Sequence, residues 1–319
     1  MKYKNRTHAK RKHKQMLLAT VATMTLGIST LGGTASVFAD EKASEAQQEQ
    51  FTSASRGGEG YGWKTKDGVR YFYNKDQQMH EGWLVESGKS FYLSHGRKGL
   101  DDISSDGKPV KKGQMMTGWF NDEKGRSHYL SPEYGMKNSE GEVFEKGQMM
   151  TGWVEVDGRW HYLSPESGKK NSADETFNKG QMMTGKVEIN GKQYYLSPEP
   201  GKKNSAGEMF NKGQMMTGWV EVNKQKWSYC SPTNNNSNMA GHKFNKGQMM
   251  TGWIEVDGKE YYIVHSASGF HKNHSGKIFY TGEMMTGETY IHEGNDESGP
   301  LYIYAFDSNG IFVTKYKSK

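Results

Sequence analysis

The side chains of this 319-residue chain that recur in sets are aromatic, not acidic or nucleophilic. Trp153, Trp160 and Tyr162 form one set, and Trp219, Trp227 and Tyr229 repeat it. Rings in such sets either stack as core or offer a π surface to a cation or a sugar ring. Catalytic chemistry has no comparable signature. Glu155 and Glu188 are isolated, and no nucleophile elbow, phosphate loop or metal cluster is present. His271 and His274 are a close pair without a nearby set of further ligands, so no metal site is assigned. The expectation is a binding protein without catalytic residues or cofactor.

The elements that must position these rings are read from one segment, Trp153-Val-Glu-Val-Asp-Gly-Arg-Trp-His-Tyr-Leu163. Asp157-Gly158 is a two-residue hairpin turn between β-rich runs. Pairing outward from it sets Trp153 opposite Tyr162 with Trp160 on the same face, and turns Val154 and Val156 to the other. One face is aromatic and one aliphatic. Asp67-Gly68, Asn190-Gly191 and Asp257-Gly258 repeat the turn, and the units starting at Trp119 and Trp219 carry slightly longer loops.

The segment is one copy of a repeat. Gly-Gln-Met-Met-Thr-Gly begins at 113, 147, 180, 213 and 247, with Gly-Glu-Met-Met-Thr-Gly at 282. The residues that follow are Trp119, Trp153, Lys186, Trp219, Trp253 and Glu288, while Trp63 and Trp83 are only 20 apart. A lone hairpin is marginal in water and must bury its faces against neighbours. The expected fold is therefore all-β, an elongated β-solenoid of stacked hairpins over 61–287, with 288–319 as a degenerate terminal repeat or cap.

The N-terminus carries seven basic residues and then an apolar run from Met16 to Ile28 that is short for a membrane span. Residues 1–39 are read as a secretion signal cleaved after Ala39, and 40–60 as a flexible linker. No acid precedes Asp40, so removing the signal takes the formal net charge from +6 to −1. That balance argues against nucleic acid as a partner, and the mature chain is not expected to span a membrane. The single cysteine, Cys230, excludes an intramolecular disulfide framework and stands where sister units carry leucine.

Gly152-Trp153, Gly158, Trp160, Tyr162-Leu163 and Gly180-Gln-Met-Met-Thr-Gly185 together resemble the cell-wall-binding repeats of choline-binding proteins of Gram-positive bacteria. The 20-residue unit from Trp63 to Trp83 has that family's usual period. Related glucan-binding and clostridial toxin repeats share the pattern. The resemblance implies a left-handed superhelix with ligand between consecutive hairpins, where two Trp and a Tyr box a trimethylammonium group with Met nearby. It implies the ligand residues Trp153, Trp160, Tyr162 and Met182 in one unit, and Trp219, Trp227, Tyr229 and Met249 in another. More weakly equipped positions are Trp63, Trp83, Tyr92, Met115, Trp119 and Tyr129, together with Tyr195, Trp253 and Tyr262.

This sequence also departs from the pattern. Its units of 33–36 residues contain an inserted turn-rich segment, expected to change the interval between boxes. The second Trp is replaced by Arg70, Ser90, Ser127, Gln193 and Glu260, and the first by Lys186 and Glu288. The implied partner is choline on teichoic acid, on a secreted protein attached non-covalently to the cell wall. The alternative is a lectin-like adhesin for α-glucan or for a host surface glycan or protein.

Overall fold

The computed structural model describes residues 60–96, 109–292 and 299–317. The expected signal, nearly all of the linker, and residues 293–298 and 318–319 of the expected cap lie outside that set. The described residues are all-β, with no helix. The pairs β1 (Gly62–Lys66) with β2 (Val69–Tyr73), and β3 (Gly82–Glu86) with β4 (Lys89–Leu93), are large hairpins. From there large and small hairpins alternate. Large β5 (Gly118–Asn121) and β6 (Ser127–Leu130) precede small β7 (Met136–Lys137) and β8 (Val143–Phe144). Large β9 (Gly152–Val156) and β10 (Arg159–Leu163) precede small β11 (Lys169–Lys170) and β12 (Thr176–Phe177). Large β13 (Gly185–Ile189) and β14 (Lys192–Leu196) precede small β15 (Lys202–Lys203) and β16 (Met209–Phe210). Large β17 (Gly218–Asn223) and β18 (Lys226–Cys230) precede small β19 (Asn236–Ser237) and β20 (Lys243–Phe244). Large β21 (Gly252–Val256) and β22 (Lys259–Ile263) precede small β23 (Phe270–Lys272) and β24 (Ile278–Tyr280). In the expected cap, β25 (Gly287–His292), β26 (Leu301–Phe306) and β27 (Phe312–Lys317) form a three-stranded antiparallel sheet.

The β9–β10 register is the one the turn dictates, with Trp153 opposite Tyr162 and Trp160 opposite Glu155. Asp157 and Gly158 sit at φ 51° and 72°, the left-handed pair of a type I′ turn. In β17–β18 the longer loop produces a bulge between Glu221 and Asn223.

The hairpins stack so that the aromatic face of one meets the aliphatic face of the next. Tyr162, with Trp153 and Trp160 packed against it, shares a core with Val187, Ile189 and Leu196. Tyr129 and Trp119 pack in the same way with Val154 and Leu163. The Met-Met loops fasten the stack. Met183 N–H donates to the Tyr162 carbonyl at 2.9 Å, while Met182 N–H reaches back to Ser127 of the previous hairpin at 2.8 Å. Met215 N–H makes the same reach to Trp160 at 2.8 Å. The second Met of each pair is fully enclosed, and the first lies on the glycine that opens the next loop, as Met149 does on Gly180. Cys230 is fully buried in the leucine position, and burial pushes its thiol up to about 12.

The inserted segment is a second, smaller hairpin with a core residue of its own: Phe144, Phe177, Phe210, Phe244 or Phe279. An asparagine ties each one down. Asn171 Nδ2 donates to the Thr184 carbonyl at 3.0 Å, and its Oδ1 accepts from the Ala173 and Glu175 N–H groups. Asn138, Asn204, Asn238 and Asn273 repeat the bond to Thr151, Thr217, Thr251 and Thr286. The insert does not change the interval between the large hairpins, contrary to the expectation from repeat length. The Trp63–Phe91 centroid distance across the 20-residue unit is 5.1 Å. Across longer units, Trp119–His161 is 4.9 Å and Trp219–Tyr261 is 4.7 Å. The small hairpin therefore lies beside the stack and leaves hairpin-to-hairpin contact intact.

Candidate functional site

Each interface between large hairpins presents four positions: the first-strand Trp, the residue that opens the second strand's aromatic face, a residue from the following hairpin, and a first Met. Between β9–β10 and β13–β14 these are Trp153, Trp160, Tyr194 and Met215, in one cluster with Tyr162. The Trp153 ring lies 4.9 Å from Tyr194 at 67° and 5.1 Å from Tyr162 at 58°. Between β17–β18 and β21–β22 the set is Trp219, Trp227, Tyr261 and Met284, again in one cluster. Trp219 lies 4.7 Å from Tyr261 at 61° and 5.0 Å from Tyr229 at 59°. All four tryptophans are half-buried. Glu155 and Glu221 stand opposite the second Trp of each set, on its face of the ladder. A carboxylate beside tilted rings suits a cation that cannot donate hydrogen bonds.

The grouping expected from sequence is shifted by one interface. Met182 packs with Trp119 and Tyr129, not with Trp153 and Trp160. Met249 packs with Tyr195 and Cys230, in an interface that has no Trp. The third ring nearest each two-Trp set across the gap is Tyr194 or Tyr261 from the next hairpin, and Tyr162 and Tyr229 flank it from the same strand pair. The sequence carried a signal for these residues. Phe91, His128, His161, Tyr194 and Tyr261 each precede the tyrosine of the aromatic face by one. Strand alternation puts them on the face paired with Leu84, Phe120, Val154, Val187 and Ile254. That face becomes part of a site only once the preceding hairpin is stacked on it.

The remaining expected positions divide by what fills the second-Trp place. Arg70 lays its guanidinium over Trp63 at 4.4 Å, so that ring already holds a cation, and Met115 packs in the same cluster. Trp83 and Tyr92 meet Phe120 and His128. Ser127 leaves room beside Trp119: a cavity of about 470 Å³ opens there, lined also by His161 and Met182. Burial lowers the His161 pKa to about 4, so the ring is neutral at physiological pH. Tyr195 faces the Lys186 interface. Trp253 and Tyr262 pack with Tyr304, Phe306 and Phe312 of the terminal sheet, beside a cavity of about 330 Å³ that Glu260 also lines. Among the described residues no cluster of His, Cys, Asp or Glu could hold a metal ion. No helix there is long and apolar enough to cross a membrane.

Stacked hairpins with ring-lined gaps define an all-β hairpin-repeat protein. Residues 151–169, which span the β9–β10 hairpin, match the family described as "Putative cell wall binding repeat". No curated protein matches the chain. Among solved structures, CbpJ from Streptococcus pneumoniae TIGR4 is similar at 20% identity over 79% of this chain and 93% of that one, with a TM-score of 0.31. Choline binding protein F from Streptococcus pneumoniae, in the presence of a peptidoglycan analogue, is similar at 19% identity over 80% and 93%, with a TM-score of 0.31. The modular autolysin LytC from Streptococcus pneumoniae is similar at 16% identity over 81% of this chain and 48% of that one, with a TM-score of 0.29.

Proposed function

We propose that the chain is a secreted, non-catalytic protein that holds itself on the cell wall by binding choline groups of teichoic acid. The observation that carries this reading is the pair of gaps in which two half-buried tryptophans of one hairpin face a tyrosine of the next. A trimethylammonium group there meets ring faces on three sides, each worth about 0.5–2 kcal/mol. Three such faces sum to about 1.5–6 kcal/mol, a range centred near millimolar binding, since about 4 kcal/mol is a millimolar Kd. Firm attachment then comes from engaging several groups of one polymer at once.

The test is retention of the mature protein on a quaternary-amine resin. Millimolar choline should release the protein while equimolar sodium chloride does not. Trp160→Gln/Trp227→Gln should pass through without being held. Release by salt alone, with no effect of choline, would refute the choline reading and leave the glycan alternative to be tested with dextran.

A further inference from the structure

The gap between the β13–β14 and β17–β18 hairpins has the same place in the stack as the two aromatic sets, but its chemistry is reversed. Lys186 stands in the first-Trp position, Gln193 in the second, and Ser228 where the next hairpin supplies tyrosine to the two two-Trp sets. Lys186 and Gln193 line a cavity of about 730 Å³ together with Lys226, Thr281 and Glu283.

Glu283 and Glu188 both act on Lys186 electrostatically, but neither forms an ion pair with it. Lys226 Nζ donates to Glu283 at 2.9 Å, and Glu283 also accepts from the Tyr280 N–H at 3.0 Å. Lys186 Nζ donates to the Thr281 carbonyl at 2.6 Å, one of the three donors of an ammonium. Among the described residues it makes no ion pair. Burial presses its pKa down, as expected for an ammonium removed from water. Gln193 Oε1 is buried without a donor, and so is the Ser228 hydroxyl. Lys186 Nζ and Gln193 Oε1 both lie beside Gly282, 3.6 Å and 3.2 Å from where a Cβ on that residue would stand.

An ammonium without an ion-pair contact, beside an acceptor that lacks a donor, suits a ligand carrying both an anion and a hydroxyl. A trimethylammonium group offers neither, and two lysines would repel it. We propose that this gap is a second kind of site, which takes a phosphate carried on a polyol or sugar, with Lys186 pairing the phosphate and Gln193 accepting from a neighbouring hydroxyl. The proposal extends the cell-wall reading, because one polymer can present phosphate and choline to adjacent gaps. The chemistry of the cavity itself does not depend on the choline assignment.

The experiment is a calorimetric titration of the mature chain with sn-glycerol 3-phosphate, with ribitol and inorganic phosphate as parallel probes and choline as an internal control. Saturable binding of glycerol 3-phosphate is expected. Lys186→Met should weaken it at least tenfold, and so should Lys186→Trp, which installs the residue that sister hairpins carry. Choline affinity at the Trp153 and Trp219 gaps should be unchanged in both variants, which also reports that the stack is intact. Ribitol should not bind. Inorganic phosphate should bind more weakly than glycerol 3-phosphate, because it has no hydroxyl set apart from the anion to donate to Gln193 while Lys186 pairs the phosphate. No saturable binding by the wild-type chain, ribitol binding as tightly as glycerol 3-phosphate, or unchanged binding in Lys186→Met would each overturn the proposal. Loss of choline binding with glycerol phosphate retained would instead remove the choline reading and leave this site standing.

Discussion

Gly180→Ala tests whether the methionine–glycine contacts hold the stack together. Gly180 sits at φ +73°, and a Cβ there would overlap the Met149 sulfur and lie 2.6 Å from its Cγ. Two costs follow. Placing a residue with a Cβ in the left-handed region costs about 1–2 kcal/mol. Forcing a packed side chain aside costs about 1–3 kcal/mol more, and Met149 is only 8% exposed, with little freedom to move. The sum is about 2–5 kcal/mol, a large part of the stability of an ordinary domain. In a chain of this size that lowers the melting temperature by about 4–20 °C. The assay is thermal and urea unfolding of Gly180→Ala, of Met149→Ala, and of the double variant. With the methionine truncated, the glycine substitution should cost only its backbone part, about 1–2 kcal/mol, so the cycle shows coupling of about 1–3 kcal/mol. An equal cost in both backgrounds would mean that Met149 is not the obstacle and that the loops do not stack as described. The same geometry recurs at Gly147 on Met115, Gly213 on Met182 and Gly247 on Met215, so any of these positions repeats the test.

Two further outcomes separate site from scaffold. Tyr194→Leu should weaken choline binding at the Trp153 gap about 2- to 30-fold, the value of one ring, whereas Tyr195→Leu, turned toward the Lys186 interface, should leave that gap unchanged. Tryptophan fluorescence titration checks the pair, and the reverse pattern would show that the third ring has been assigned to the wrong face. The His161 pKa is depressed from 6.5 to about 4 by burial, so between those values the unfolded chain binds a proton that the folded chain refuses. Its contribution to stability is present above pH 6.5 and is lost as pH falls toward 4, on the order of 3 kcal/mol in total. Urea midpoints measured from pH 7 to 4.5 should fall, and His161→Phe should flatten that part of the profile. A wild-type profile already flat would refute the buried neutral assignment.

The turn chemistry made the large hairpins legible. Asp157-Gly158 sets the register, and the register decides that Trp153, Trp160 and Tyr162 share a face. The repeat of Gly-Gln-Met-Met showed that hairpins must stack. Two things were not legible, for related physical reasons. The segment around Lys169 and Thr176 has strands of two residues, too short for alternation to appear, so its hairpin exists only because Asn171 and Phe177 anchor it to the neighbouring strand. Tyr194 and Tyr261 sit among aliphatic residues on their own hairpins, and their role depends on which surface is laid against them. Periodicity reports which face a residue is on but not what lies across the gap, which is why the Met partners were placed one interface too early.

Because each ring set is divided between two hairpins, a complete ring set is not the property of a repeat. The unit that starts at Lys186 lacks the tryptophan that marks its sisters, yet it supplies Tyr194 to the site before it. Excising residues 186–218 would keep every tryptophan but lay Ser228 against Trp153, and that site would lose its third ring. The number of complete ring sets in this array is therefore set by how many neighbouring pairs match. Reordering the same units would change capacity without altering composition, and a unit shed from either end would take half a site with it.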